Sequence, residues 1–400
     1  MHCTRKLADD LYWIGGNDKS FQYFEGVHPI PEGISYNSYL MLDEKTVLFD
    51  TCDWKIGQQF LENLDYVLNG RTLDYVVVDH MEPDHAATLG EVLLRHPDAI
   101  VVGTAKAHQF MEQYGFRVTH SLVVKEGDKL NFGRHTVAFY TAPMVHWPEV
   151  MVAFDETDGI LFSADAFVSF RALDGAIFND EVNYERDWEE ANRRYYTNIV
   201  GKFGKQVMAV LKKASKLDIR MICPLHGVVW RSDIDWLLDK YTKWATYTPE
   251  GKGILIAYGS MYGHMENAAH ILAGKLYERG LTDITLRDTT ETHVSYLISD
   301  AFRCSAVVLL SVTYNMNIFP PMQNFLDDMK RLNLQNRKIW LAQNGTWAPN
   351  SGKLMSEMVG CMNGMEIMNE EPLTMKSSVT EENEEELNRI ADQIAAALAE

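Results

Sequence analysis

The 400 residues exceed what one hydrophobic core usually serves, so the chain is expected to hold two domains. With 46% hydrophobic and 23% charged residues it belongs among packed globular proteins, not disordered ones. Its 37 basic and 56 acidic side chains give a net charge of −19, which opposes binding to nucleic acid or an anionic membrane surface. The apolar runs are too short to span a bilayer, and the start, Met1-His2-Cys3-Thr4-Arg5-Lys6, has no apolar stretch behind it. A cytoplasmic protein is expected. Cys3, Cys52, Cys223, Cys304 and Cys361 are scattered with no C-x-x-C pair, which fits reduced thiols and leaves no four-cysteine metal module.

In chain order, residues 35–41 and 46–49 read as paired strands around an Asp43-Glu44-Lys45 turn, followed by a helix over 56–69. A buried strand covers 75–79, and helices cover 89–95 and 105–113. Strands follow at 136–140, 150–154 and 160–162, then one long helix over 188–214 and another over 232–244. The seam Tyr247-Thr248-Pro249-Glu250-Gly251-Lys252-Gly253 divides the chain into residues 1–250 and 251–400. Beyond it, strands at 254–258, 284–286, 306–312, 338–342 and 366–368 alternate with amphipathic segments at 266–280, 294–302, 319–332 and 353–359. A last helix opens with a Ser378-x-x-Glu381 capping box and carries Leu387, Ile390, Ile394 and Leu398 on one stripe. This alternation predicts an α/β fold with a doubly wound parallel sheet.

His80-Met81-Glu82-Pro83-Asp84-His85 directly follows the 75–79 strand. Four metal-competent side chains in six residues is a dense cluster for one loop. His146, Asp165 and His226 also follow strands. Strand ends that deliver His, Glu and Asp to one sheet edge can build a dinuclear site. The pattern resembles the metallo-β-lactamase fold, whose dinuclear hydrolases carry H-x-H-x-D-H and then His, Asp and His. Glu82 stands here where those hydrolases have their second histidine. A carboxylate in place of imidazole hardens the ligand set and favours iron over zinc.

The loop Ser260-Met261-Tyr262-Gly263-His264-Met265 joins the first strand and first helix of the second half. A phosphate needs backbone N–H groups, a hydroxyl and a helix N-terminus, and such a turn supplies all three. It is similar to the flavodoxin phosphate loop, although relatives usually carry Asn-Thr or Thr-Thr where this chain has His264-Met265. Thr313-Tyr314-Asn315-Met316 and Asn344-Gly345-Thr346-Trp347 follow later parallel strands, where ligands of such sheets sit. No G-x-G-x-x-G follows the first strand, and six residues separate Gly345 from Gly352-Lys353 where a P-loop has four.

Taken together, an N-terminal metallo-β-lactamase-like αββα domain followed by a flavodoxin-like domain resembles the flavodiiron proteins, which reduce dioxygen or nitric oxide. The resemblance implies FMN and two non-haem irons per chain. His80, Glu82 and His146 would hold one iron, and Asp84, His85 and His226 the other. Asp165 would bridge them, and His85 is the ligand on which family members differ. Tyr314 and Trp347 would contact the flavin ring, while Tyr196 and Glu25 would flank the metals. It further implies a head-to-tail homodimer or dimer of dimers, and an external donor such as rubredoxin. The rival reading is a dinuclear zinc hydrolase with a fused flavodoxin domain.

Overall fold

A computed structural model of the chain describes residues 2–399. The chain folds into two compact units. One holds the residues up to Tyr196 together with Lys205–Thr242, the other Thr197–Gly204 and the residues from Lys243 on.

Two sheets pack face to face in the first unit. In spatial order the larger carries Arg5–Lys6, Leu11–Trp13, Tyr39–Leu42, Thr46–Phe49, Tyr75–Val77, Ile100–Gly103 and Ser121–Val123. The smaller carries Lys129–Asn131, Thr136–Thr141, Met151–Asp155, Ile160–Phe162 and Met221–Cys223. Phe49 of one sheet stacks on Phe162 of the other with 3.7 Å between ring centroids, so the two inner faces share one core. Ile160–Phe162 runs parallel to Met221–Cys223, and Thr136–Thr141 reaches the same direction through the antiparallel Met151–Asp155. The carboxyl ends of these three strands therefore open on one edge, where His146, Asp165 and His226 follow.

Two expected elements are divided. The continuous 35–41 strand is instead Ile34–Tyr36 and Tyr39–Leu42. Between them the Asn37 side chain donates to the carbonyls of Pro224 and Gly227 at 2.8 and 2.9 Å, which turns the chain from one sheet to the next. The long 188–214 helix is broken as well. Glu189–Tyr195 is α-helical, Tyr196–Val200 winds as a π-turn, Gly201–Phe203 is 3₁₀, and Gly204–Ala214 resumes the α-helix. A β-carbon on Gly204 would lie 2.2 Å from the Ala245 carbonyl, so the second helix starts where only glycine lets it approach that backbone.

The second unit is a parallel sheet in the order Ile284–Asp288, Ile254–Gly259, Ala306–Tyr314, Arg337–Asn344, Met365–Ile367. This is the doubly wound order 2-1-3-4-5. Leu255, Ala257, Val307 and Leu309 face one core, and Ile254, Ile256, Ala306 and Val308 face the other. Both faces are covered, which is why these strands read as unbroken apolar runs. Leu387, Ile390, Ile394 and Leu398 are buried as expected. The cap of their helix lies two residues later than the spacing suggested. Helix Glu381–Ala399 is opened by Thr380, whose Oγ1 accepts from the Asn383 amide at 3.3 Å, while the Asn383 side chain accepts from the Thr380 amide at 3.2 Å.

A buried ionic clamp closes the first unit away from its strand ends. His135 Nδ1 lies 2.9 Å from Asp155 and Nε2 lies 2.8 Å from Asp10, while Arg134 pairs with Asp158. Burial would lower the His135 pKa, but the two carboxylates outweigh it and push it up to about 9. Its protonated form is therefore the stabilising one: the contribution is complete below the ordinary value near 6.5 and is lost as pH rises through about 9. The His135→Gln variant should be less stable than the parent by about 2 kcal/mol at pH 6, and the gap should close by pH ~10. Chemical denaturation across that range measures it; a gap independent of pH would refute the clamp.

Candidate metal centre and nucleotide cavity

The turn after Tyr75–Val77 is held by Asp50, itself in the left-handed region at φ 51°, whose Oδ1 accepts from the amides of Asp79 and His80 at 2.9 and 3.2 Å. Pro83 starts the short helix Pro83–Ala86, a position that suits its fixed φ and missing N–H. That turn aims His80, Glu82, Asp84 and His85 inward. All seven predicted metal-binding side chains are buried, and they converge into two groups: His80, Glu82, His146 and Asp165, and Asp84, His85 and His226.

Asp165 joins the two groups through its separate oxygens. Oδ2 lies 3.6 Å from His80 Nε2 and 3.3 Å from His146 Nε2. Oδ1 lies 3.2 Å from His85 Nε2 and 3.9 Å from His226 Nε2. Glu82 Oε2 completes the first group at 3.3 and 3.1 Å from His80 and His146. Asp84 Oδ2 completes the second at 3.3 and 3.2 Å from His85 and His226. Burial alone would raise the Asp165 carboxyl; His85, His146 and His226 hold it well below the usual carboxylate range.

Both Asp84 oxygens, Asp165 Oδ1 and the Nε2 atoms of His85 and His226 are buried with no hydrogen-bond partner. Each buried polar atom left so costs about 1–3 kcal/mol, a penalty that bound cations would remove. Three carboxylates and four imidazoles suit two iron ions, and the carboxylate share argues against a thiolate- or imidazole-selective metal.

Of the two expected neighbours of the centre, one differs. Tyr195, not Tyr196, reaches the bridge: its hydroxyl donates to Asp165 Oδ2 at 2.9 Å. Successive helical residues point about 100° apart, and Tyr196 turns its ring against Tyr241 instead. Glu25 does flank the site. Burial, then the neighbouring Glu82 charge and a hydrogen bond with it, raise the Glu25 carboxyl to about 8. Phe24, Tyr36 and Tyr195 set their rings 5.6–5.7 Å from His226 and wall off that side.

In the second unit a cavity of about 220 Å³ opens at the carboxyl ends of the strands. It is lined by Ser260, Met261, Tyr262, His264 and Met265 from the first loop. Thr313, Asn315 and Met316 come from the second, and Asn344, Gly345, Thr346 and Trp347 from the third. Gly263 and Tyr314 are not in the lining; Val312 and Ala348 are, though sequence reasoning missed them. Gly263, at φ 83°, is instead the N-cap of helix His264–Glu278, and its amide donates to Ser260 Oγ at 3.1 Å. With no side chain capping that helix, its N-terminus is a site for an anion such as a phosphate.

Some of the polar side chains brace the loops. Thr313 Oγ1 accepts from the amides of Asn350 and Ser351 at 2.9 and 3.1 Å, and the Asn344 amide exchanges bonds with the Ser377 backbone at 2.6 and 3.1 Å. Tyr262 and Trp347 stand at the rim, 84% and 82% exposed, with ring faces available for a flat heterocycle.

Fold and site together define a two-unit α/β protein with two buried carboxylate–histidine groups that could hold metal ions and a cavity at a helix N-terminus that could take an anion. Residues 34–227 match the family model described as ODP family beta lactamase. The chain is 30% identical over 356 residues to a nitric oxide reductase of Moorella thermoacetica, covering 88% of each chain. It is 31% identical over 351 residues to an anaerobic nitric oxide reductase flavorubredoxin of Pectobacterium atrosepticum, covering 84% of this chain and 66% of that one. Its structure superimposes on the rubredoxin oxygen:oxidoreductase of Desulfovibrio gigas with a TM-score of 0.91 at 29% identity, covering 99% of both chains. The chain belongs to the flavodiiron family of oxidoreductases. The zinc hydrolase reading is not favoured.

Proposed function

We propose that this chain passes electrons from an external rubredoxin-type donor, through FMN in the Ser260–Met265 cavity, to two irons that reduce dioxygen to water or nitric oxide to nitrous oxide. The observation that carries the reading is the split of Asp165 between the two groups, with Oδ1 facing one and Oδ2 the other. Bound there, FMN accepts electrons singly or in pairs, and the iron pair supplies them to a small diatomic.

The residues of the chain have definable parts in this. His80, Glu82 and His146 would hold one iron, Asp84, His85 and His226 the other, and Asp165 lies between the two groups. Tyr195 fixes the Asp165 carboxylate in its bridging orientation. Glu25 stands beside Glu82, where its carboxyl borders the metal-binding groups. The backbone at His264 and Met265, the first residues of the uncapped helix, would bind the phosphate, and Trp347 and Tyr262 would cover the ring. The iron domain would be the unit that ends at Thr242 and the flavin domain the unit that holds Thr197–Gly204 and the residues from Lys243 on, a boundary slightly earlier than the 250/251 seam of the sequence. The exposed Tyr262 and Trp347 support a head-to-tail homodimer in which a second copy covers them. Among the described residues no helix is long and apolar enough to cross a membrane, which supports a cytoplasmic enzyme.

Metal analysis after anaerobic expression tests the assignment. Two irons and one FMN per chain, with consumption of either gas by the reduced protein, are expected. Zinc in their place with no gas consumption would sink it.

A further inference from the structure

The four histidines of the metal centre are held from behind in unequal ways. His226 Nδ1 bonds a neutral group, the Ser35 carbonyl, at 2.6 Å. His85 Nδ1 is buried without a hydrogen-bond partner. His80, unlike His85 and His226, is backed by a charged side chain: Glu149 Oε1 lies 2.8 Å from its Nδ1 and accepts also from the Met81 amide at 2.9 Å. The Glu149 side chain is fully buried, so water does not dilute this bond. Glu149 sits on the loop that carries His146, and Met151 at the end of that loop donates to the Asp79 carbonyl at 3.1 Å. One loop therefore supplies a ligand and also the group behind another ligand.

We infer that Glu149 is a positioning residue that holds His80 with its proton on Nδ1 and Nε2 toward the metal, and makes it a stronger imidazole donor than His85 or His226. A carboxylate that accepts from the rear nitrogen raises the basicity of the metal-facing one. A stronger donor favours the ferric over the ferrous ion. The two irons are thereby made unequal, and the one in the His80 group is the easier to oxidise. This rests on the diiron reading above.

The test uses the iron-loaded full-length protein. Glu149→Gln keeps the side-chain shape and an oxygen acceptor but removes the charge. Chelator competition should show iron affinity of the His80 group lowered about 10–100-fold, the usual cost of losing such a partner. EPR-monitored redox titration should show that iron becoming easier to reduce. A tenfold change in the ferric-to-ferrous affinity ratio corresponds to 59 mV for one electron. Thr104→Ala is the control, since Thr104 Oγ1 donates only to the Glu149 backbone carbonyl at 3.0 Å and to no part of its carboxylate. It should lower stability and leave the potential unchanged.

Unchanged affinity and potential in Glu149→Gln would overturn the inference, and so would an equal potential shift in Thr104→Ala. Should Glu149→Gln fail to fold, proton NMR of the parent diferrous protein decides. A hyperfine-shifted His80 Nδ1–H that exchanges slowly with D₂O is expected, and rapid exchange would overturn the inference. A parent protein that takes up no iron pair defeats the diiron reading itself, an outcome distinct from any of these.

Discussion

An Asp165→Ala variant should lose iron from both groups, and gas reduction should fall by more than about 100-fold. Losing a hydrogen-bond partner behind a ligand already costs about 10–100-fold in affinity, so removing a ligand shared by two ions must cost more. The geometry gives this variant a signature that no other ligand shares. Oδ2 serves His80 and His146 while Oδ1 serves His85 and His226, so one side chain is common to both groups. Glu82→Ala, by contrast, removes an oxygen from the His80 group alone, and iron in the Asp84 group should persist. Iron per chain and Mössbauer spectra of the two variants distinguish these outcomes. Full occupancy of one group in Asp165→Ala would show that Asp165 does not bridge.

Arg337→Met should destabilise the second unit by about 3–5 kcal/mol, because several buried carbonyls lose their donor and each one left unsatisfied costs about 1–3 kcal/mol. Arg337 is 1% exposed, and its guanidinium donates to backbone carbonyls. Its guanidinium donates to Ala301 at 2.8 Å, to Tyr247 and Gln335 at 2.7 Å each, to Asn336 at 3.2 Å and to Phe302 at 2.5 Å. Two of these carbonyls belong to the last turn of helix Val294–Arg303, where the backbone dipole favours a cation. Burial pulls the Arg337 pKa down to about 10, which leaves it charged at neutral pH. Methionine fills the space but strands the carbonyls. Thermal unfolding followed by flavin release should occur about 10 °C lower, by the usual conversion for a unit of this size. Arg337→Lys, with fewer donors on a point charge, should fall between the two. A melting point equal to the parent's in Arg337→Met would refute the role.

The neighbours of the site were less legible than its ligands. The ligands announced themselves because H-x-E-x-D-H packs four of them into one loop and a parallel-strand architecture gathers the rest at one edge. Tyr195 and Tyr196 are equivalent in sequence, and only the winding of that helix decides which faces Asp165. Glu149 lies 69 residues from His80 and reads as an ordinary loop acid until the fold joins them. In the second unit, strand alternation showed which loops would line the cavity. It could not show that Thr313 and Asn344 spend their polar groups on neighbouring loops.

The sequence by itself pointed to two α/β halves, to a cluster of metal-competent side chains and to the loops that line the cavity, because these depend on local spacing and on strand periodicity. Only the tertiary structure decided which side chains share Asp165, what stands behind each histidine and where a single buried arginine gathers five carbonyls. Those contacts join residues far apart in the chain, and their energies depend on burial, which no short stretch of sequence encodes.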